Sequence, residues 1–378
     1  MAASCADAVT LRVNRASRRP VPGGLHGFPA GRPFTVGGVN RRISTLVVAL
    51  APILIFGILL SAVTVPYVAL GPGPTFDTLG EVDGKEVVDI EGADVHTTSG
   101  HLNMTTVSQR DGLTLGQALI FWASGRDQLL PRDLVYPPDK TREEIDEANS
   151  QDFRQSEDSA EYAALHHLKY PMAVTVESID EEGPSKGKLQ GGDAIDGVNG
   201  KPVATLDQFQ ELLKAYKPGD TIAVDYRRKN APMGTAEITL GKHPDRDQGI
   251  LGVNVLDAPW APFTIDFNLA NIGGPSAGLM FSLAVVDKLT TGDVTGGKFV
   301  AGSGTISGDG KVGSIGGITH KVTAAQEAGA TVFLVPADNC AEARTADADG
   351  IELLKVETLE QAVDGLRTLS AGGEPPRC

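Results

Sequence analysis

Between Ile43 and Val65 the chain reads ISTLVVALAPILIFGILLSAVTV, without one charged residue. A run of ~23 such residues is long enough to cross the ~30 Å hydrocarbon layer of a membrane as a helix. Pro52 is tolerated inside a membrane helix. No other feature constrains the fold as much, because this one divides the chain between two solvents. Arg41 and Arg42 flank the run at its N-terminal end, so the positive-inside rule places the N-terminal residues in the cytoplasm and the C-terminal body outside. The competing reading is a cleaved signal peptide. Its apolar core would span ~7–15 residues and lead to a small-residue cleavage site, and this run is longer and lacks a clear Ala-x-Ala. The expectation is a single-pass anchor.

Composition changes across that boundary. Residues 1–42 carry Arg12, Arg15, Arg18, Arg19, Arg32, Arg41 and Arg42 against the single acid Asp7, and show no amphipathic period. They read as a disordered basic arm. The whole chain has a net charge of −15, so the remainder is more acidic still. Such a body is repelled by nucleic-acid phosphate and by anionic lipid, and no nucleic-acid partner is expected. Simple solubility accounts for the acidity. Cys5 lies in the arm. Cys340 and Cys378 both fall on the outer side, where disulfides persist. Either they pair and tether the last residues, or they are two free thiols; the compartment favours the pair.

The chemistry concentrates at Asn271-Ile-Gly-Gly-Pro-Ser-Ala-Gly-Leu279. The β-like run Phe263–Leu269 feeds it. Leu279, Leu283, Val286 and Leu289 then recur near helical spacing, predicting a helix over 277–289. Ser276 therefore sits at a strand–turn–helix junction. Gly274 permits the sharp turn and Pro275 pre-sets a first helical turn. Free N–H groups near Ser276 and Ala277 are placed to hold an oxyanion. The plainer reading is a turn followed by a capping serine. A second stretch, Val312-Gly-Ser-Ile-Gly-Gly-Ile-Thr-His-Lys321, opens a helix over 319–328.

Taken together, GGPSAG, AGSGTISGDGKVGSIGG, a Lys on the next helix and AAQEAGATVFLVPADN resemble the proteolytic domain of Lon-type serine proteases. The closer resemblance is to the bacterial membrane-anchored, PDZ-containing Lon-like proteases. It implies a Ser–Lys dyad, with Ser276 as nucleophile and Lys321 as general base. It also implies that Ser303 fills the place of a Thr that helps hold the Lys. Gly273 stands where ATP-dependent Lon has Asp, and Thr319 where it has the first Lys of GGxKxK, which weakens any carry-over from ATP-dependent Lon at those two positions. His320 is the rival base, but as the neighbour of Lys321 on a helix it points elsewhere. A ring-like homo-oligomer is a further implication, with no interface readable.

Residues 171–242 resemble a PDZ domain. The elements are Met172-Ala-Val-Thr-Val-Glu-Ser-Ile179, the turn Val198-Asn-Gly-Lys201, a helix Leu206–Tyr216 and a strand Thr221–Tyr226. Such domains bind extended peptide by adding it to a sheet edge beside a helix. The groove is expected at Met172, Ala173 and Val174 facing Phe209 and Leu213; the plainer reading is a spacer. Residues 66–168 are harder to read. Short β-like runs near 87–90 and 101–107 suggest a small β element packed on the protease domain. Helical stretches are expected after Pro138 and again over 159–168.

The expected fold is an α/β Lon-type proteolytic domain with an inserted or preceding PDZ domain, β-rich with helices, and one N-terminal transmembrane helix. Its divisions are 1–42 arm, 43–65 span, 66–168 β/α segment packing with the protease domain, 169–243 PDZ domain and 244–378 proteolytic domain. The expected activity is ATP-independent serine endoproteolysis of extracytoplasmic proteins or peptides, with Gly274, Pro275, Ala277 and Ser303 supporting the dyad. The alternative is a membrane-tethered PDZ adaptor with an inactive Lon-like domain. No cofactor and no metal are expected. Gly292–Phe299 nearly spells a P-loop, but Phe299 stands where Ser or Thr must reach Mg²⁺ and a β-like run comes next where a helix is required. Gly308–Gly313 spells GxGxxG yet reads as a hairpin turn. Peptide cleavage by the purified chain should therefore proceed at full rate without ATP; strict nucleotide dependence in a fluorogenic peptide assay would contradict this reading.

Overall fold

The computed structural model describes residues 40–245, 247–270, 272–346 and 349–378. The basic arm and Cys5 lie outside the described residues. The chain divides into two units, Met1–Phe56 and Gly57–Cys378. The described part of the first is the start of a helix, Arg41–Ala62, of 22 residues with Pro52 inside and no buried residue. It is long and apolar enough to cross a membrane.

The second unit is built on a six-stranded sheet. Its order is Glu352–Val356, Val332–Pro336, Phe299–Gly302, His101–Arg110, Tyr67–Asp77 and Gln128–Pro131. The first four strands run parallel; the last two pairings are antiparallel. The segment 66–168 is thus not a separate element packed on the protease domain. It supplies three strands of the central sheet. Val332-Phe-Leu-Val-Pro336 is buried throughout, as expected for a parallel strand covered on both faces. Successive side chains alternate between those faces. Val300, Val332 and Leu334 join one core with Leu279 and Leu283 of the helix Gly278–Leu289 and with Ala160 and Ala164 of the helix Arg142–His167. Ala301, Phe333 and Val335 join a second core with Ile318, Val322 and Ala325 of the helix Ile318–Ala328. Gly302 is required where the first face is tightest: a Cβ there would lie 2.6 Å from Met280 Sδ and 3.0 Å from Leu334 Cβ.

The two helical stretches expected within 138–168 form one helix of 26 residues, Arg142–His167. Thr141 and Glu144 close a capping box at its start, satisfying two otherwise orphaned donors. The helix leads into a second, antiparallel sheet. That sheet runs Gly234–Thr239, Thr221–Arg227, Ala194–Val198, Met172–Ile179 and Val253–Pro259. Val174, Val176, Ile195, Phe209, Ile222 and Ile238 form its core. It lies between strands of the first sheet in sequence, so this domain is inserted. It extends past residue 243, because its edge strand is Val253–Pro259.

Cys340 and Cys378 form a disulfide with 5.1 Å between Cα atoms. The residues before Cys378 lie along the edge strand Glu352–Val356. Lys355 N donates to Pro376 O at 3.0 Å and Cys378 N to Leu353 O at 3.0 Å. This covers a sheet edge that would otherwise offer unpaired backbone groups. Cys378→Ser should lower stability by about 2–4 kcal/mol, measured as a drop in denaturant midpoint that vanishes when both proteins are compared under reducing conditions.

Candidate active site

The strand Thr264–Phe267 pairs with Val88–Glu91 and delivers the chain to the turn before Ser276. Gly274 has φ +87°, a conformation that glycine adopts without a steric cost. The long helix Arg142–His167 grips this turn. Gly274 N donates to Asn149 O at 2.9 Å, and Ser156 Oγ donates to Pro275 O at 3.0 Å. A Cβ on Gly273 would meet Asn149 Cβ at 2.9 Å. The helix then begins at Gly278.

A second brace comes from the end of the strand Phe299–Gly302. Ser303 Oγ donates to Ser276 O at 3.0 Å and Gly304 N donates to the same carbonyl at 3.0 Å. Leu279 N returns a bond to Gly304 O at 3.1 Å. The Ser276 backbone is thereby fixed from two sides. Among the described residues the N–H groups of Ser276 and Ala277 donate to no acceptor, which leaves them available to an anionic oxygen.

Lys321 approaches from the opposite face of the sheet. Gly317, with φ +66°, precedes the helix Ile318–Ala328, and Lys321 N donates to Gly317 O at 3.2 Å. The side chain is buried, with 4% of its surface exposed. Its Nζ lies 2.8 Å from Ser276 Oγ and 2.8 Å from Ser303 Oγ. Burial disfavours the ammonium and pushes the amine down to about 8 from its ordinary 10.5. The structure thus brings Ser276, Lys321 and Ser303 together, with Gly274, Pro275 and Ala277 shaping the turn. His320 makes no hydrogen bond to Ser276, and its Nε2 is buried without a partner among the described residues.

Two sets of contacts were not legible. Asn149 and Ser156 hold the nucleophile turn through its backbone, so no side-chain pattern announces them. The groove of the second domain also differs from expectation. Met172, Ala173 and Val174 sit in an interior strand: all three pair with Val253–Pro259, and Val174 also pairs with Ile195. The side on which a peptide would add is taken by Val253–Pro259. Phe209 and Leu213 do line a cleft of about 570 Å³, but its other wall is Gly249–Val255. Gly249-Ile-Leu-Gly252 ahead of an apolar run is the signal that marks it. Of the two near-motifs, Lys298 is followed by the strand Phe299–Gly302, and Gly308–Gly313 turns between Thr305–Ile306 and Val312–Gly313.

Comparison with known proteins finds two domain families along the chain. Residues 150–240 match the family model of the PDZ domain, and residues 271–368 that of the Lon protease (S16) C-terminal proteolytic domain. The chain is 33% identical over 93 residues to Lon protease 2 of Bacillus subtilis (strain 168), a match covering 25% of this chain and 16% of that protein. It is 38% identical over 104 residues to the Lon protease of Phenylobacterium zucineum (strain HLK1), covering 28% and 12%. It is 33% identical over 82 residues to a probable periplasmic serine endoprotease DegP-like of Ectopseudomonas mendocina (strain ymp), covering 21% and 17%. The chain therefore spans only a small part of each relative.

The Lys321 amine should titrate near 8, followed by the pH dependence of its Cε resonance. Between about 8 and the ordinary 10.5 the folded protein binds fewer protons here than the unfolded chain, so this site makes stability rise with pH across that window. Lys321→Met should flatten the rise, measured as denaturant midpoints at both ends of the window.

Proposed function

A PDZ domain and a Lon-type proteolytic domain share this polypeptide, and from that premise we propose a membrane-anchored, ATP-independent serine endopeptidase that cleaves extracytoplasmic proteins or peptides through a Ser276–Lys321 dyad. The observation that carries the proposal is the buried amine 2.8 Å from both hydroxyls.

Proton inventory supports one direction for these contacts. The single Ser303 proton goes to Ser276 O, so Ser303 Oγ accepts from Lys321. A neutral amine then keeps its lone pair for the Ser276 hydroxyl. A serine needs such a base to become a useful nucleophile, and Ser–Lys pairs are a recognised variant of the triad logic. Ser276 Oγ attacks the scissile carbonyl carbon as its proton passes to Lys321 Nζ. The N–H groups of Ser276 and Ala277 stabilise the oxyanion, commonly the largest catalytic contribution. The lysyl ammonium returns the proton to the leaving amine. A water then enters by the same base catalysis and releases the acyl group from Ser276.

Three observations support the setting. The apolar helix Arg41–Ala62 suits an anchor, and Arg41 and Arg42 at its start suit an N-terminus in the cytoplasm. The Cys340–Cys378 disulfide suits an oxidising compartment beyond the membrane. The strand Val253–Pro259 leaves one edge free beside the helix Leu206–Leu213, the arrangement in which an extended peptide of substrate or regulator adds as a strand.

Ser276→Ala and Lys321→Ala should each lower kcat on one peptide substrate by roughly 10³-fold or more while remaining folded. Lys321→Arg should fail equally, since a guanidinium stays charged. Ser303→Ala should cost roughly 10-fold to 100-fold. Activity should rise with pH toward the amine value of about 8, because only the free amine accepts a proton. Loss of turnover in His320→Ala with Lys321→Ala spared would reject the assignment.

A further inference from the structure

From Gly112 to Gly125 the chain contains no charged residue. Most of this stretch is the helix Leu115–Ser124, LGQALIFWAS, capped by Thr114 and Gln117 at its start and by Gly125 at its end. Ala118 is its one buried residue. Leu119, Ile120 and Trp122 are 46%, 67% and 72% exposed. A helix on the surface of a water-soluble body turns its charged and polar residues outward. This one turns Leu119, Ile120 and Trp122 outward instead.

The location of the helix accounts for this. Leu115 N donates to Val63 O at 2.7 Å, and Val65 N donates to Leu113 O at 2.9 Å. Thr64 and Thr114 form a β-bridge between them. Gly116 lies so near the last turns of the preceding helix that a Cβ would stand 3.0 Å from Leu60 O. Past Arg41 and Arg42, the uncharged part of the helix Arg41–Ala62 is about 30 Å long at 1.5 Å per residue, which matches the hydrocarbon thickness. Val63 then stands at the hydrocarbon boundary, and Trp122 lies within about 10 Å along its own helix of Leu115. Two further exposed side chains share the exit. Tyr67 is 41% exposed and Leu134 72% exposed, and Arg132 N donates to Pro66 O at 3.0 Å. Tyr and Trp are enriched at this depth, where an apolar ring meets a wet headgroup.

We propose that the helix Leu115–Ser124 lies in the outer interface of the bilayer, with Leu119, Ile120 and Trp122 among the lipid headgroups and upper acyl chains. The inference rests on Arg41–Ala62 being a membrane span. It gives the protein a second, interfacial attachment, which fixes the orientation of the proteolytic domain over the membrane instead of leaving it on a free tether.

The chain has two tryptophans, which makes the test direct. Trp260 is buried, and its Nε1 donates to Gly192 O at 2.9 Å. The full-length protein is reconstituted into phosphatidylcholine vesicles with or without bromine on the upper acyl chains. Bromolipid should quench the emission of the unaltered protein by roughly twofold, and should leave the residual emission of Trp122→Phe unchanged. Ile120→Lys should reduce the quenching. If the chain floats with the vesicles but bromine leaves its emission untouched, the helix is not in the lipid and the proposal falls. Unquenched but blue-shifted emission, with cross-links between chains through position 120, would assign the face to a second copy and overturn it equally. If the chain fails to float, the span reading fails first and carries this one with it.

Discussion

The carbonyl of Ser276 is the point on which the candidate site depends. Two donors, Ser303 Oγ and Gly304 N, converge on it at 3.0 Å each. This fixes the serine backbone to the end of a central strand and occupies the only proton of Ser303. With that proton committed, Ser303 has only lone pairs to offer the Lys321 amine, 2.8 Å away. Burial without a carboxylate beside it among the described residues eases loss of the amine's proton: desolvation is the one cause of its lowered pKa. An acid in hydrogen-bond reach would favour the ammonium and raise the pKa again.

The sheet converts this local bracing into a reliable distance. The helix carrying Lys321 and the helix after Ser276 pack on opposite faces of the same strands. Neither helix contacts the other's core, so their relative position is set by the sheet between them. Both reach past the end of the strand Phe299–Gly302, where Gly302 allows Met280 to approach. The functional side chains thus meet at the carboxyl end of a parallel strand, the place where open α/β sheets commonly hold their ligands.

Residue type and spacing made part of this legible. The turn before Ser276, the lysine one turn into its helix and the apolar span are local patterns, each written within a short stretch of chain. The roles expected of Lys321 and Ser303 were legible only through family resemblance. Strand order was not legible, because pairing is decided between distant segments. That is why Met172–Val174 read as a sheet edge although Val253–Pro259 covers it. It is also why 66–168 read as an accessory although it contributes half of the central sheet. Asn149 and Ser156 act on backbone atoms, and such contacts place almost no demand on the sequence they touch.

The pairing of His101–Arg110 with Phe299–Gly302, supported by Thr105 Oγ1 donating to Gly302 O at 3.1 Å, joins segments separated by the whole inserted domain. Contacts of such long range form late and slowly. The strand that positions Ser303 is in place only when the early and late parts of the chain have both arrived. A chain that has emerged only as far as Ser276 holds the serine turn but neither Ser303 nor Lys321. The meeting of Ser276, Ser303 and Lys321 is therefore complete only once strands from both sides of the inserted domain have paired.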